Sequence, residues 1–384
     1  MKVAVLGYGT VGAGVYSMLS DAPGMEAGPV LVRPGKAVES FMVSDAALIF
    51  GDPTVDAVVE TLGGLDPAYS YGMRALEAGK HFITANKAMV AAHGLELAAL
   101  AREKGAAFLF SAACGGGVPF LHNLALSAET DRIEAVSGIL NGTTNYMLDA
   151  MQRRGLSYGN ALREAQSLGY AESDPTADVS GLDALRKMQL ACAVAFGVLP
   201  QSGMLCEGME HFTAADVEDI QSRGLVCRLM ARGSRAGESV SAYVEPVLFP
   251  RAAPESSVFT NNNMARYTGK RCGSIVLMGQ GAGRFPTASA VLRDLSAAQQ
   301  GARSMFPENC CAAEADNREA VHSYYIRTGN FAAVRLSLRS VLAQGEVVRA
   351  VTEPMSAEKM HALAQNIRKD GNDLFFAALE EELC

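Results

Sequence analysis

The first twenty residues constrain the fold more than any other stretch. Lys2-Val3-Ala4-Val5-Leu6 is a short apolar run suited to a buried parallel strand. Gly7-Tyr8-Gly9-Thr10-Val11-Gly12 follows at once, and Val11, Val15 and Leu19 then recur at helical spacing. A glycine fingerprint between strand and helix reads as a dinucleotide-binding βα turn. Gly7 permits the tight turn, Gly9 lets the backbone approach a pyrophosphate, and Gly12 lets the helix pack closely on the strand. The amides of the helix start, at Thr10 and Val11, then face the phosphates. The bland alternative is a glycine-rich turn with no ligand, and the flanking strand and helix weigh against it.

The following segments extend the pattern. Strands are expected at 56–61, 81–84 and 106–110, and helices at 67–78 and 93–104, each stopped by a glycine. Alternation of this kind predicts a doubly wound parallel sheet over residues 1–120. The ribose selector falls after the second strand, in Val30-Leu31-Val32-Arg33-Pro34-Gly35-Lys36. No acid stands there, whereas Arg33 and Lys36 offer charge to a 2′-phosphate, which favours NADP over NAD. The stretch from Asp21 to Asp52 is short for two βα units, so this edge of the sheet is expected to be trimmed.

Beyond Pro119 a weakly alternating strand (133–140), helices (143–154, 157–168, 181–196) and later strands (225–231, 240–248, 274–278) describe an α+β second domain over 121–280. Gly279-Gln280-Gly281-Ala282-Gly283 returns the chain to the cofactor domain, which 281–312 completes. A short βα-like tail occupies 318–384. The net charge of −8 and the absence of Trp oppose nucleic-acid binding. No apolar run reaches membrane-spanning length. The eight Cys are scattered without a C-x-x-C pair and read as reduced thiols of a cytoplasmic enzyme.

Several motifs together resemble homoserine dehydrogenase. They are the glycine fingerprint, Ala85-Asn86-Lys87-Ala88, Gly115-Gly116-Gly117-Val118-Pro119, Gly138-Ile139-Leu140-Asn141-Gly142-Thr143-Thr144-Asn145-Tyr146 and Pro286-Thr287-Ala288-Ser289-Ala290-Val291. The most specific is Leu168-Gly169-Tyr170-Ala171-Glu172-Ser173-Asp174-Pro175, continuing through Asp178 and Gly181 to Asp183 and Lys187. The resemblance implies reversible interconversion of L-homoserine and L-aspartate 4-semialdehyde, in threonine and methionine biosynthesis. It further implies a Rossmann-like α/β domain, an α+β substrate and dimerisation domain, and a homodimer or homotetramer. Ser323-Tyr324-Tyr325-Ile326-Arg327-Thr328 resembles the first strand of an ACT domain, here in a shortened, degenerate form.

Hydride transfer from an alcohol needs a group that takes the hydroxyl proton and returns it in reverse. Asp183 and Lys187 stand at i and i+4 and share one helix face. Spacing alone fits an ordinary surface ion pair equally well; the resemblance assigns Lys187 the proton transfer. It assigns Glu172 and Asp178 to homoserine, with Gly142, Thr143 and Tyr170 beside it, and places Lys87 between cofactor and substrate. Gly169 and Gly281 join the cofactor set. Carbonyls of Cys114, Gly116 and Val118 would form a weak sodium site, although Ser111 stands where the family carries a carboxylate. A thioester-forming Cys114, as in a related semialdehyde dehydrogenase, lacks a His base. A catalytically inactive dinucleotide sensor would have no need of Lys187.

Overall fold

The computed structural model describes residues 1–380, so the last four residues of the tail lie outside the described residues. The chain divides into two compact units. The first comprises Met1–Ile133, Gln189–Leu199 and Gly279–Cys311; the second comprises Glu134–Met188, Pro200–Met278 and Ala312 onward.

The first unit is built on a six-stranded sheet. Its elements are β1 (Lys2–Leu6), α1 (Thr10–Leu19), β2 (Glu26–Leu31), β3 (Met42–Val43), α2 (Ala47–Phe50), β4 (Ala57–Glu60), α3 (Ala68–Glu77), β5 (His81–Thr84), α4 (Lys87–Lys104), β6 (Phe108–Leu109) and α5 (Phe120–Ala128). The order is β3-β2-β1-β4-β5-β6, all parallel. Direction of winding reverses between β1 and β4, so their carboxyl ends form the crevice where doubly wound sheets hold ligands. Val3, Ala4, Val5 and Leu6 are fully buried, because helices cover both faces. The trimmed edge is present as β3, two residues long and joined to β2 without a helix. The helix Arg284–Gln299, α11 in chain order, packs on α1, where Gly14 leaves room for Arg284 and Ala288.

The second unit is organised on a ten-stranded mixed sheet. It begins with β7 (Ile133–Ile139), α6 (Gly142–Arg154), α7 (Tyr158–Ser167), α8 (Thr176–Val179) and the first half of α9 (Leu182–Phe196), whose residues from Gln189 on belong to the first unit. Next come β8 (Val198–Ser202), β9 (Leu205–Cys206), α10 (Ala214–Ser222), β10 (Leu225–Ala236), β11 (Ser239–Pro250), β12 (Asn262–Gly269) and β13 (Gly273–Gln280). After α11 the chain forms β14 (Cys311–Glu314), β15 (Val321–His322), β16 (Tyr324–Thr328), α12 (Phe331–Val334), β17 (Leu338–Gln344), β18 (Val348–Thr352), β19 (Met355–Ser356), α13 (Ala357–Lys369) and β20 (Leu374–Leu379). The sheet order is β13-β12-β7-β10-β11-β20-β16-β18-β17, with β9 also paired to β11. β10 and β11 make a long hairpin in register from Leu225↔Pro250 to Ala236↔Ser239, turned at left-handed Gly237.

In place of the expected short βα tail, the C-terminal segment forms βαββαβ, with antiparallel order β20-β16-β18-β17. β20 runs parallel to β11 and splices this segment into the main sheet. Tyr324, Met360 and Phe376 share one apolar core with Val247 and Phe249 of β11.

Candidate active site

In the first unit the fingerprint makes a tight turn. Gly7 adopts φ +99°, and its amide donates to Leu31 O at 3.0 Å. A Cβ on Gly12 would lie 2.2 Å from Gly7 O and 2.7 Å from Thr61 Oγ1, so no side chain fits. Nothing occupies the space beside Gly9, which precedes the first turn of α1 at Thr10 and Val11. That open approach to a helix N-terminus is what a pyrophosphate requires.

A cavity of about 1020 Å³ opens from this turn. Gly7 and Gly9 line one end, and Arg33 and Lys36 line the part beyond β2. Tyr8, Phe41 and Tyr71 supply apolar walls. Glu39 also lines it, an acid that lies beyond the segment inspected for a ribose selector. Its signal was present, but only the loop path from Val32 to Phe41 brings it back to the cavity.

On the far side of the switch point, buried Glu60 accepts from the amides of Leu62 and Gly63 at 2.6 and 3.1 Å and from Thr84 Oγ1 at 2.6 Å. Asn86 caps α4 through Met89 N and donates to Gly64 O at 2.6 Å. Lys87 is therefore the first residue of a helix that starts six residues earlier than 93–104 suggested. A cation at a helix N-terminus opposes the dipole, and this placement points to a role other than stability.

The loop after β6 carries the carbonyls of Cys114, Gly116 and Val118 expected at the sodium site. Ser111 donates its hydroxyl to Asp294 Oδ1 at 2.5 Å and its amide to Oδ2 at 2.8 Å. Burial pushes the Asp294 carboxyl up to about 7. Val118 O already accepts from Phe120 N at 2.8 Å, and Arg293 donates to Gly117 O at 3.3 Å. Gly281 O fills the place of a side chain on Gly116, so Gly281 abuts this loop. Among the described residues no group of three His, Cys, Asp or Glu could hold a metal. Cys114 is buried, and the seven described cysteines are free thiols.

The second unit gathers most of the remaining candidates. Lys187 Nζ lies 2.7 Å from Asp183 Oδ2 and donates to Leu140 O at 2.6 Å. The two side chains are only 11% and 13% exposed, which removes the surface ion-pair alternative. Asn141 joins them: its Nδ2 donates to Asp178 Oδ1 at 2.7 Å and to Asp183 Oδ2 at 2.9 Å. Its Oδ1 accepts from Thr144 N at 2.9 Å, which makes Asn141 the N-cap of α6 and fixes the amide's orientation. Sequence reading quoted Asn141 inside a motif without giving it a role; its cap position before Gly142 was the available signal. Burial, with Asp183 alongside, pushes the Asp178 carboxyl up against the pull of Asn141.

Thr143 Oγ1 donates to Tyr170 O at 2.6 Å, tying α6 to the loop after α7, and a Cβ on Gly142 would lie 2.8 Å from Asn261 O. Gly169 turns that loop in the left-handed region, and Tyr170 packs edge-on to Tyr146. Glu172 is exposed, and its carboxylate makes no hydrogen bond or ion pair with another described residue. The structure thus leaves it outside the Asp178–Asp183–Lys187 network.

The family models for the NAD-binding domain of homoserine dehydrogenase and for homoserine dehydrogenase match residues 7–111 and 119–296. A Synechocystis homoserine dehydrogenase is 37% identical over 77% of this chain and 72% of its own. The chain belongs to the homoserine dehydrogenase family. A Corynebacterium glutamicum homoserine dehydrogenase is 38% identical over 76% of this chain and 70% of its own. A solved Thiobacillus denitrificans homoserine dehydrogenase superposes with a TM-score of 0.86 at 30% identity, covering 99% of this chain and 98% of its own. The S. aureus homoserine dehydrogenase gives 0.76 at 26%, covering 99% of both. The homoserine dehydrogenase architecture therefore extends through the C-terminal βαββαβ segment. No helix among the described residues is long and apolar enough to cross a membrane.

Proposed function

We propose that this homoserine dehydrogenase runs hydride transfer at the terminal carbon of L-homoserine with Lys187 as the proton-transfer residue. The observation that carries the reading is the half-buried network Leu140 O–Lys187–Asp183–Asn141–Asp178. A nicotinamide dinucleotide held by the fingerprint turn would supply the hydride acceptor for the CH2OH carbon, and the Lys187 amine takes the hydroxyl proton as L-aspartate 4-semialdehyde forms. In reverse the ammonium returns the proton to the carbonyl oxygen as hydride reaches its carbon. Asp183 favours the ammonium form, which suits the reductive direction. Asp178 and Glu172 are acidic partners for the substrate α-amino group, and Glu172 takes that role from its exposed loop. Gly142, Thr143 and Tyr170 shape the same side, and Lys87 orients the substrate carboxylate or the nicotinamide end.

The open fingerprint turn fits a dinucleotide, with Gly7, Gly9, Thr10, Val11 and Gly12 around its pyrophosphate and Arg33 and Lys36 beside the ribose. That pair of cations supports use of NADP(H) at least as readily as NAD(H). Gly169 and Gly281 are assigned by resemblance alone. Carbonyls of Cys114, Gly116 and Val118 are assigned to a weak sodium site by resemblance alone. The C-terminal segment is ACT-like in strand order, and the enzyme is assigned to the cytoplasm as a homodimer or homotetramer.

The test is absorbance at 340 nm with L-homoserine and NADP+, then NAD+. Wild type is expected to turn over, and Lys187→Ala to lose turnover while still binding cofactor. Near-normal turnover by folded Lys187→Ala would sink the proton-transfer role.

A further inference from the structure

Asp178 lies in the last turn of α8 and Asp183 in the first turn of α9, so the joint Val179–Ser180–Gly181 sets how far apart these two carboxylates stand. The segment Cys206–Met209 lies flush on that joint. Met209 N donates to Val179 O at 3.0 Å, and Cys206 Sγ donates to Ser180 O at 3.0 Å. A Cβ on Gly208 would lie 2.2 Å from Val179 O and 2.7 Å from Ser180 Cα; one on left-handed Gly181 would lie 3.1 Å from Cys206 Sγ. Backbone touches backbone here, so the two stretches move together or not at all.

The position of Cys206–Met209 is itself set from two sides. Cys206 pairs with Val244 of β11, and Glu207 N donates to Val244 O at 2.8 Å. The other anchor is a side chain from the C-terminal segment. Arg368, in the last turn of α13, donates to Glu207 Oε2 at 2.9 Å and Oε1 at 2.7 Å. It also donates to Leu374 O at 2.7 Å, which binds the clamp to the start of β20. Glu207 is 8% exposed. A buried carboxylate that loses both of its guanidinium bonds must move toward water or draw in a new partner.

We infer that Arg368 is a positioning residue for the substrate-side carboxylate Asp178 relative to Asp183, the partner of Lys187: its paired bonds to Glu207 press Cys206–Met209 onto the 179–181 joint and so set the separation of Asp178 and Asp183. The inference rests on the proposed role of those carboxylates. It makes the C-terminal segment a working part of substrate recognition.

The experiment uses the full chain with Arg368→Met, Arg368→Lys and Glu207→Gln, plus the double variant Glu207→Gln/Arg368→Met. Coupling carried through a packed contact changes binding by roughly 2- to 30-fold. Arg368→Met is expected to raise KM for homoserine within that range and to leave KM for the cofactor unchanged. Arg368→Lys should recover part of the loss. The double variant should be no worse than Arg368→Met, since no charge is left unpaired. Independently of activity, peptides covering 179–183 and 206–209 should exchange amide hydrogens faster in Arg368→Met. An unchanged homoserine KM with unchanged exchange overturns the inference, as does a parallel rise in both KM values in every variant. A wild-type enzyme inert toward homoserine would instead overturn the functional reading, while the exchange result still judges the joint.

Discussion

Asp294→Asn should remove a pH dependence that the wild-type fold builds in. The carboxyl is 1% exposed, and burial pushes it up to about 7 despite two hydrogen bonds from Ser111 and the nearby Arg293. An unfolded Asp titrates near 4. Between about pH 4 and 7 the folded chain therefore holds a proton that the unfolded chain has released. Stability must fall as pH rises through that window and level off above it. A shift of about three pH units corresponds to on the order of 4 kcal/mol. Asparagine reproduces the protonated state: its carbonyl accepts from Ser111 N and its amide donates to Ser111 Oγ. Melting of both proteins from pH 4 to 8 measures the difference. At roughly 2–4 °C per kcal/mol, the variant should gain about 10 °C relative to wild type across the range. A difference that stays flat with pH would refute the reasoning and mean that Asp294 is ionised throughout.

Three further perturbations test the sites separately. Gly12→Ala should weaken cofactor binding at least about tenfold, because its Cβ would strike Gly7 O; titration with reduced cofactor, followed by its fluorescence, checks this, and wild-type affinity would contradict it. Arg33→Ala should cut kcat/KM with NADP+ by about tenfold or more and spare NAD+; an unchanged ratio between the cofactors rejects Arg33 as the phosphate partner. Asn141→Ala removes a cap worth about 1 kcal/mol and a donor that favours ionised Asp178. Its melting point should drop by a few degrees, and the acid limb of the homoserine pH–rate profile should move to higher pH; an unmoved limb would detach Asn141 from the reaction.

The first unit was legible because its signals are local. Strand, glycine turn and helix at 2–19 follow one another, and the apolar run at 57–59 is buried on both faces. The second unit was legible in its helices and in the strands at 133–140, 225–231, 240–248 and 274–278, but not in how they pair. Asp183 and Lys187 could be placed on one face from spacing alone, yet their burial depends on β7 and α6, which no spacing reveals. The exposed, polar edge strand β17 carries no alternation, so the C-terminal topology was hidden. Arg368 and Glu207 are 161 residues apart, and nothing near either predicts the other. Ser111 was noticed as a departure, but its partner Asp294 became apparent only once α11 was placed beside it.

β20 lies between β11 and β16, hydrogen-bonded on both sides. In this chain the C-terminal segment is therefore part of the main sheet, and a cut at residue 317 would open that sheet. Cutting there would strip β11 along one edge and bare the apolar side chains of Val247 and Phe249. It would also strand Glu207, Asp216 and Glu245, whose partners Arg368, Arg327 and His361 all come from the removed piece. An open, flat, apolar strand edge recruits other chains. This chain cut at residue 317 would be expected to aggregate, even though Asp178, Asp183 and Lys187 all precede the cut.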